Sequence, residues 1–198
     1  TFQGSFYTDD GKTKNTDMMH AWNYSCGYFK DDTSEGVVMP YKNSSFAFVA
    51  VKPSGKESIR DWFASYNAKK LSALVNSSKT KDVELSLPKF EIRCKMTLND
   101  SLNKMGIKKA FDEEKADLTL LGKTKTDENL YLSFVLQEAV IRVAEEGTEA
   151  AAATMGAIAG ETSLIPDKPV VNFDRSFLYM IIDTESKAPL FMGVVDEP

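Results

Sequence analysis

The stretch Glu145-Glu146-Gly147-Thr148-Glu149-Ala150-Ala151-Ala152-Ala153-Thr154 sets the interpretation of the whole chain. One interpretation is a short helix capped by Thr148, because alanine is the best helix former and a hydroxyl satisfies free backbone amides at the start of a helix. A packed helix also needs an apolar stripe at three-to-four spacing, and the run continuing to Gly160 has none. Gly156 and Gly160 interrupt it further. The segment is therefore predicted to be exposed.

The second interpretation is a loop that can become a β-strand. Side chains alternate between the two faces of a strand. One face would carry four small residues, namely Thr148, Ala150, Ala152 and Thr154. The other would carry Glu149 with two further alanines. Small side chains can enter an existing sheet without displacing its core, while the charge of Glu149 faces outward.

The composition is that of an ordinary globular domain with a substantial core, at 198 residues, 42% hydrophobic and 27% charged. A net charge of -5 argues against a general nucleic-acid-binding protein. No apolar run approaches the roughly 20 residues of a membrane span. We therefore expect neither nucleic acid nor a membrane as a partner.

The cysteine and histidine content predicts no metal site and no cofactor. Cys26 and Cys94 are far apart, no CxxC pair occurs, and His20 is the only histidine. The two cysteines are expected to be free thiols in the core rather than a disulfide. No nucleophile motif such as GxSxG lies near His20, so we expect no catalytic residues and no enzymatic activity.

Working outward from the opening stretch, the hydrophobic pattern predicts an α+β fold in which strands dominate. A buried strand at 130–143 leads directly into the stretch. Upstream, residues 1–16 look like polar loop, while residues 2–49 as a whole are expected to form short strands separated by turns at 9–12 and 31–36. The aromatic residues from Trp22 to Phe29 are expected in the core. The other predicted elements are paired strands at 37–41 and 45–51, one or two helices within 56–76, a long strand at 83–92, a short helix at 98–105, a strand at 170–173, and a hairpin of 177–182 with 189–195.

Eight short motifs carry a family resemblance. In chain order they are DMMH (17–20), MPYKN (39–43), LSLPKF (85–90), GI (106–107) followed by AF (110–111), ADL (116–118), EEGTEAAAAT (145–154), FDRSF (173–177) and FMGVV (191–195). In this order and spacing, the chain resembles the C-terminal half of a serpin, a member of the serine protease inhibitor superfamily. The resemblance implies mainly antiparallel β-sheets with a few helices.

The resemblance also implies a domain organisation. Residues 1–198 would be the C-terminal part of a single serpin domain, with an exposed reactive-centre loop at about 145–168. A whole serpin has roughly as much chain again before this point. We therefore expect the N-terminal half of the same serpin to be a partner, as a separate chain or as a missing segment.

The function implied by the resemblance is that of a suicide substrate for a serine protease. The protease attacks a loop carbonyl and forms an acyl-enzyme. The cleaved loop then enters the central sheet as a new strand and traps the protease before hydrolysis. A hinge at Glu145–Thr154 suits fast insertion, and neither proline nor arginine occurs from Glu145 to Ile165. The alternative is a non-inhibitory serpin that acts as a carrier or chaperone.

The position of the reactive bond is left open by the sequence. Counting forward from Gly147 at family spacing predicts Glu161-Thr162, whereas counting back from Phe173 gives a position near Ile165. The alternatives include Ile158, Ala159, Leu164 and Ile165, which suit an elastase-like or chymotrypsin-like protease, whereas Glu161 suits a Glu-specific one. Lysine and arginine are absent between Arg142 and Lys168, which argues against a trypsin-like target.

Two further expectations come from the family. Lys89 and Glu145 match a salt bridge at the top of the central sheet, where insertion begins. We also expect an extracellular, secreted protein, since free proteases are mostly extracellular.

Overall fold

The computed structural model describes residues 1–55, 57–122, 128–145 and 168–198. These fall into two compact units, residues 1–91 with 142–198, and residues 92–141. In chain order the elements are β1 (Phe2–Tyr7), β2 (Thr13–Lys30), β3 (Ser34–Pro40), β4 (Phe46–Pro53), α1 (Ile59–Ala64), α2 (Ala68–Asn76), β5 (Lys79–Pro88), β6 (Phe90–Thr97), α3 (Asn99–Lys104), a 3₁₀ turn (Lys109–Phe111), β7 (Leu136–Val143), β8 (Val170–Asn172), β9 (Phe177–Asp183) and β10 (Pro189–Val195). No helix in the described ranges is long and apolar enough to cross a membrane.

The first unit is built on an eight-stranded sheet in the order β10-β9-β4-β3-β2-β5-β8, with β1 paired to β2. All its named pairs are antiparallel except β5 with β8. Helices α1 and α2 pack on one face of the sheet. The buried cluster there includes Ile59, Trp62, Leu71 and Leu74 from the helices, Val49 and Val51 from β4, and Met180 and Ile182 from β9. This buried cluster is the core that supports the strands around the site.

The second unit, residues 92–141, contains most of the two-stranded sheet β6-β7 together with α3. Lys95 of β6 and Glu138 of β7 form an ion pair at 2.8 Å. Helix α3 is followed by Gly106, whose φ of 99° is in the range that favours glycine after a helix. The prediction of a short helix ending before this glycine is confirmed.

The predicted loop at residues 1–16 is wrong. Phe2–Tyr7 is a strand that pairs with Thr13–Met18 of β2, joined by a turn in which Gly11 has a φ of 82°. The turn predicted at 9–12 is confirmed. The strands on either side of it are hard to recognise because most of their side chains are polar and exposed, and Phe6 and Met18 are the buried apolar residues of the pair. A strand with one solvated face needs few apolar residues.

Strand β2 also differs from the prediction of short strands separated by turns. It runs without a break for 18 residues, with a bulge between Ala21 and Tyr24. Phe29 is buried as expected, but Trp22 is 67% exposed and lies outside the core. Trp22 lies in the bulge, and its ring contacts the ring of His20, with the centroids 4.6 Å apart.

The predicted strand at 83–92 is two strands. β5 ends at Pro88 and belongs to the large sheet, while β6 begins at Phe90 and belongs to the small one. Pro88 has no backbone N–H to continue a ladder, which accounts for the change of sheet.

The buried strand predicted at 130–143 is also wrong in length and burial. Only Leu136–Val143 is a strand, and only Ile141 and Val143 of it are buried. Upstream, Leu132 donates its backbone N–H to Ala110 O, and Val135 accepts one from Leu98. Residues before Leu136 therefore bond to the 3₁₀ turn and to the residue that precedes α3 rather than to a strand.

The remaining elements are confirmed. β3 and β4 form the predicted pair, α1 and α2 are the predicted helices, and β9 with β10 is the predicted hairpin. β8 occupies the predicted position. Cys26 and Cys94 are free, as expected, with Cys26 buried and Cys94 half-buried.

Candidate functional site

The candidate site consists of the residues from which the predicted loop leaves the fold and to which it returns. Glu145 follows β7, and Lys168 precedes β8; both are described. The rest of the predicted hinge, Glu146 to Thr154, lies outside the described residues. So do the candidates for the reactive bond, which are Ile158, Ala159, Glu161, Thr162, Leu164 and Ile165.

The departing end of the loop is held by an ion pair. Lys89 Nζ lies 2.6 Å from Glu145 Oε2, and the two side chains are 30% and 50% exposed. The backbone of Lys89 is itself fixed, because its N–H donates to Asp17 O at 2.8 Å. The hydrogen bond from Lys89 lowers the pKa of Glu145 below its ordinary value. The two predicted partners are therefore in contact, with the Glu145 carboxylate stabilised by the lysine.

An open cleft of about 600 Å³ lies beside this pair. Its lining includes the buried side chains of Phe90 and Val143 together with the charged groups of Lys89 and Arg142. Arg142 donates to Glu91 Oε2 at 2.8 Å through Nε and at 2.7 Å through Nη2. The lining is mixed, because Gln3, Asn15, Thr16 and Asp17 add polar side chains to it.

The returning end of the loop is held by a second lysine. Lys168 Nζ donates to Trp22 O at 2.8 Å and to Asn23 Oδ1 at 2.7 Å. The next residue, Pro169, accepts a hydrogen bond from Glu84 N at 2.9 Å. Sequence reasoning assigned Lys168 no role, since its acceptors lie about 145 residues away in a bulge that no local pattern indicates.

His20 has a neighbour that the sequence did not reveal. The antiparallel register of β2 and β5 pairs it with Ser86, and His20 Nδ1 lies 2.9 Å from Ser86 Oγ. Glu84 Oε1 is 3.8 Å from His20 Nε2. Ser86 is only 9% exposed, so its hydroxyl is not accessible to a substrate, and we assign the three side chains a structural role. Within the described ranges, no three metal-binding side chains cluster together.

Comparison with known proteins gives one consistent family. The family model described as "Serpin (serine protease inhibitor)" matches residues 1–198. Human alpha-1-antichymotrypsin is 33% identical, with 100% of this chain and 46% of that protein covered. Iris from the tick Ixodes ricinus is 34% identical, with 100% of this chain and 52% of that protein covered.

Solved structures agree in fold. The native state of tengpin, a thermophilic serpin, matches with a TM-score of 0.85 at 29% identity, covering 100% of this chain and 50% of tengpin. The complex of thyroxine-binding globulin with thyroxine matches with a TM-score of 0.80 at 28% identity, again covering 100% and 50%.

The chain spans about half the length of the curated relatives it matches. Its strand-rich fold with few helices is that of the corresponding half of the tengpin and thyroxine-binding globulin structures. Since the family model matches from the first residue to the last, the chain belongs to the serpin family.

Proposed function

We propose that the chain is the C-terminal half of an inhibitory serpin, which acts as a suicide substrate of a serine protease rather than as an enzyme. The observation that carries this proposal is the ion pair between Lys89 and Glu145, at 2.6 Å. The pair fixes the first residue of the small-residue hinge at the end of β7, next to the open cleft. Insertion of the cleaved loop would begin there.

The mechanism follows from how β7 ends. Among the described strands, β7 pairs with β6 alone. A segment that turns back after Glu145 would therefore run antiparallel to β7 along its other edge and complete its hydrogen bonds. Thr148, Ala150, Ala152 and Thr154 would face the interior as that strand formed. Their small size allows entry without displacing the core.

The chemical step is the first half of an ordinary proteolysis. The protease serine adds to the carbonyl carbon of Glu161, the peptide bond to Thr162 breaks, and the Thr162 amine leaves with the proton from the protease histidine. The acyl-enzyme ester then persists because strand insertion carries the protease away before water attacks. Each inhibitor is consumed once.

We also propose that an N-terminal half completes the molecule, in the same polypeptide or as a second chain. Large apolar side chains on β10 are 37–53% exposed, namely Leu190, Phe191, Met192 and Val194. In β7, Leu136 and Val140 are 45% and 52% exposed. Exposed apolar rows of this kind are typical of surfaces that another segment covers.

The target and the compartment belong to the same proposal. An elastase-like, chymotrypsin-like or Glu-specific protease fits the residues at the candidate bonds, and an extracellular site of action fits such targets. The reactive bond is assigned to Glu161-Thr162, because the length of the hinge before the bond limits how far the loop can insert.

A carrier function is the second candidate, since the solved thyroxine-binding globulin complex shares the fold at a TM-score of 0.80. The hinge separates the two functions. From Glu145 to Ile165 the chain has no proline or arginine, and small uncharged residues on the inserting face are needed only by an inhibitor.

The experiment that tests the proposal compares two arginine substitutions in the hinge of the chain joined to its N-terminal half. Thr148→Arg places a large charge on the face that would be buried, whereas Ala151→Arg places the same charge on the outer face. We expect Thr148→Arg to be cleaved as a substrate without forming a covalent complex, and Ala151→Arg to keep most of its complex. A stable complex from Thr148→Arg would show that strand insertion is not the mechanism.

A further inference from the structure

The bulge in β2 is contacted by a residue at the returning end of the proposed loop. Ala21 pairs with Leu85, and Tyr24 pairs with Val83. Two residues of β2, Trp22 and Asn23, therefore face the single residue Glu84 of β5. A bulge of this kind leaves a residue outside the regular ladder and re-aims its polar groups. Here the Trp22 carbonyl and the Asn23 side chain become available to another segment.

Lys168 binds both of these groups. Its ammonium donates to Trp22 O at 2.8 Å and to Asn23 Oδ1 at 2.7 Å. Both distances are typical of charge-assisted hydrogen bonds, which are stronger than neutral ones. The side chain thus joins the chain just before β8 to a strand that is not its neighbour in the sheet.

β8 needs such support. It has three residues, pairs only with β5 among the described strands, and leaves Val170 62% exposed. Two flanking backbone bonds extend its attachment, from Glu84 N to Pro169 O and from Phe173 N to Ser86 O, each 2.9 Å. Short edge strands with few hydrogen bonds open easily.

We propose that Lys168 is a positioning residue that clamps the returning end of the reactive loop to the β2 bulge. The consequence for the loop rests on the proposed function. With Glu145 held by Lys89 and Lys168 held by the bulge, the described residues on both sides of the proposed loop are fixed. After cleavage only the hinge side moves, while the far side stays on β5 through β8.

Hydrogen exchange of the full chain tests the clamp. Lys168→Met keeps the length of the side chain and removes the donors. We expect exchange of the Glu84 and Phe173 amides to become about tenfold faster, because charge-assisted bonds to the edge are lost. Exchange of the β3 and β4 amides should stay unchanged, as should the melting temperature. Lys69→Met, at an exposed position of α2, is the matched control.

Two more variants separate positioning from general stability. Lys168→Arg should restore slow exchange, because a guanidinium offers donors to the same acceptors. Asn23→Ala should raise exchange by less than Lys168→Met, and the double variant should exchange no faster than Lys168→Met alone. Exchange at Glu84 and Phe173 that is equal in Lys168→Met and the unsubstituted chain would overturn the proposal.

This readout does not depend on inhibition. If the unsubstituted protein traps no protease, the proposed function fails and the clamp is still judged by exchange. If exchange is unaffected by Lys168→Met while a protease is trapped, the clamp fails and the function stands.

Discussion

Cys26 and Cys94 are both free thiols with different surroundings. Burial, with a smaller contribution from the Asp82 carboxylate, raises the pKa of Cys26 to about 11. Only roughly one Cys26 in a thousand would then be a thiolate at pH 8. Since the thiolate is the reactive form, Cys26 should be inert in the folded protein.

Alkylation followed by peptide mass spectrometry checks this. At pH 8 we expect iodoacetamide to modify Cys94 in the folded protein and to modify Cys26 only after urea is added. A Cys94→Ser variant serves as the control, in which folded protein should take up almost no label at Cys26. Equal labelling of both cysteines before unfolding would contradict the burial of Cys26.

Among the glycines that the structure describes, Gly36 is the one at which a side chain has least room. A methyl group there would meet the Phe29 ring and would lie 2.5 Å from the Ala50 carbonyl oxygen. Both neighbours belong to strands that flank β3, so the sheet would have to separate. Gly36→Ala should lower the free energy of unfolding by about 1–3 kcal/mol, as overpacking typically does.

The matched control is Gly55→Ala, because nothing lies within 4 Å of the added methyl group at that position. Urea unfolding of both variants measures the difference. If Gly36→Ala unfolded at the same urea concentration as Gly55→Ala, the close packing of β3 between β2 and β4 would be wrong.

Whether a contact between two residues could be predicted from the sequence depended largely on whether they lie in family motifs. Lys89 and Glu145 could be paired in advance because both lie in family motifs, and they are in contact. Lys168 lies in no motif, and its acceptors come from a bulge about 145 residues away. The contact between Ser86 and His20 is an exception, because both residues lie in motifs and yet the register that pairs them, between β2 and β5, is a long-range property.

Among the elements, the proposed function depends most on the ion pair between Glu145, just after β7, and Lys89, just after β5. Lys89 lowers the pKa of Glu145 from its ordinary value of 4.5. A carboxylate whose pKa is lowered in the fold contributes stability above the pKa of the unfolded state and loses it as the pH falls through the lower, folded value. The pair should therefore stabilise the fold at pH 7 and not at pH values well below 4.5.

Glu145→Gln tests this, because it removes the charge and keeps the shape. We expect the variant to unfold at slightly lower urea concentration than the unsubstituted protein at pH 7, and at the same concentration at pH 2. A double-mutant cycle with Lys89→Met isolates the pair from other effects. The pair would have no energetic role if the two substitutions were fully additive at pH 7.

The predicted strands are confirmed where apolar runs are bounded by a clear turn. The predictions are wrong where a strand is largely polar or where an apolar run is exposed. The hairpin of β9 and β10 has apolar runs on both sides of a clear turn. β1 and the first part of β2 are polar on their exposed side, so they were taken for a loop. In residues 130–143 an apolar run was taken for burial, although most of β7 is exposed in this chain. An apolar run indicates that its side chains need to be covered, but it does not indicate which segment covers them.

The molecule as a whole is a member of the serpin family in which lysines hold Glu145 and the chain just before β8. The chain spans about half the length of its curated relatives, and it exposes apolar rows on β7 and β10. Together with the hinge composition, these features support the proposed inhibitor. The family likeness made the fold predictable from the sequence. The exact bond was not predictable, because the length after the bond varies freely.

The proposed function requires that a protease is trapped by the segment between Glu145 and Lys168. The most direct measurement is denaturing electrophoresis of the protein, joined to its N-terminal half, after incubation with elastase-like, chymotrypsin-like and Glu-specific proteases, with mass spectrometry of the released peptide. The account predicts a complex that survives denaturation with at least one of them, and a released peptide that begins at Thr162. Cleavage of the loop by all three proteases with no such complex would contradict it.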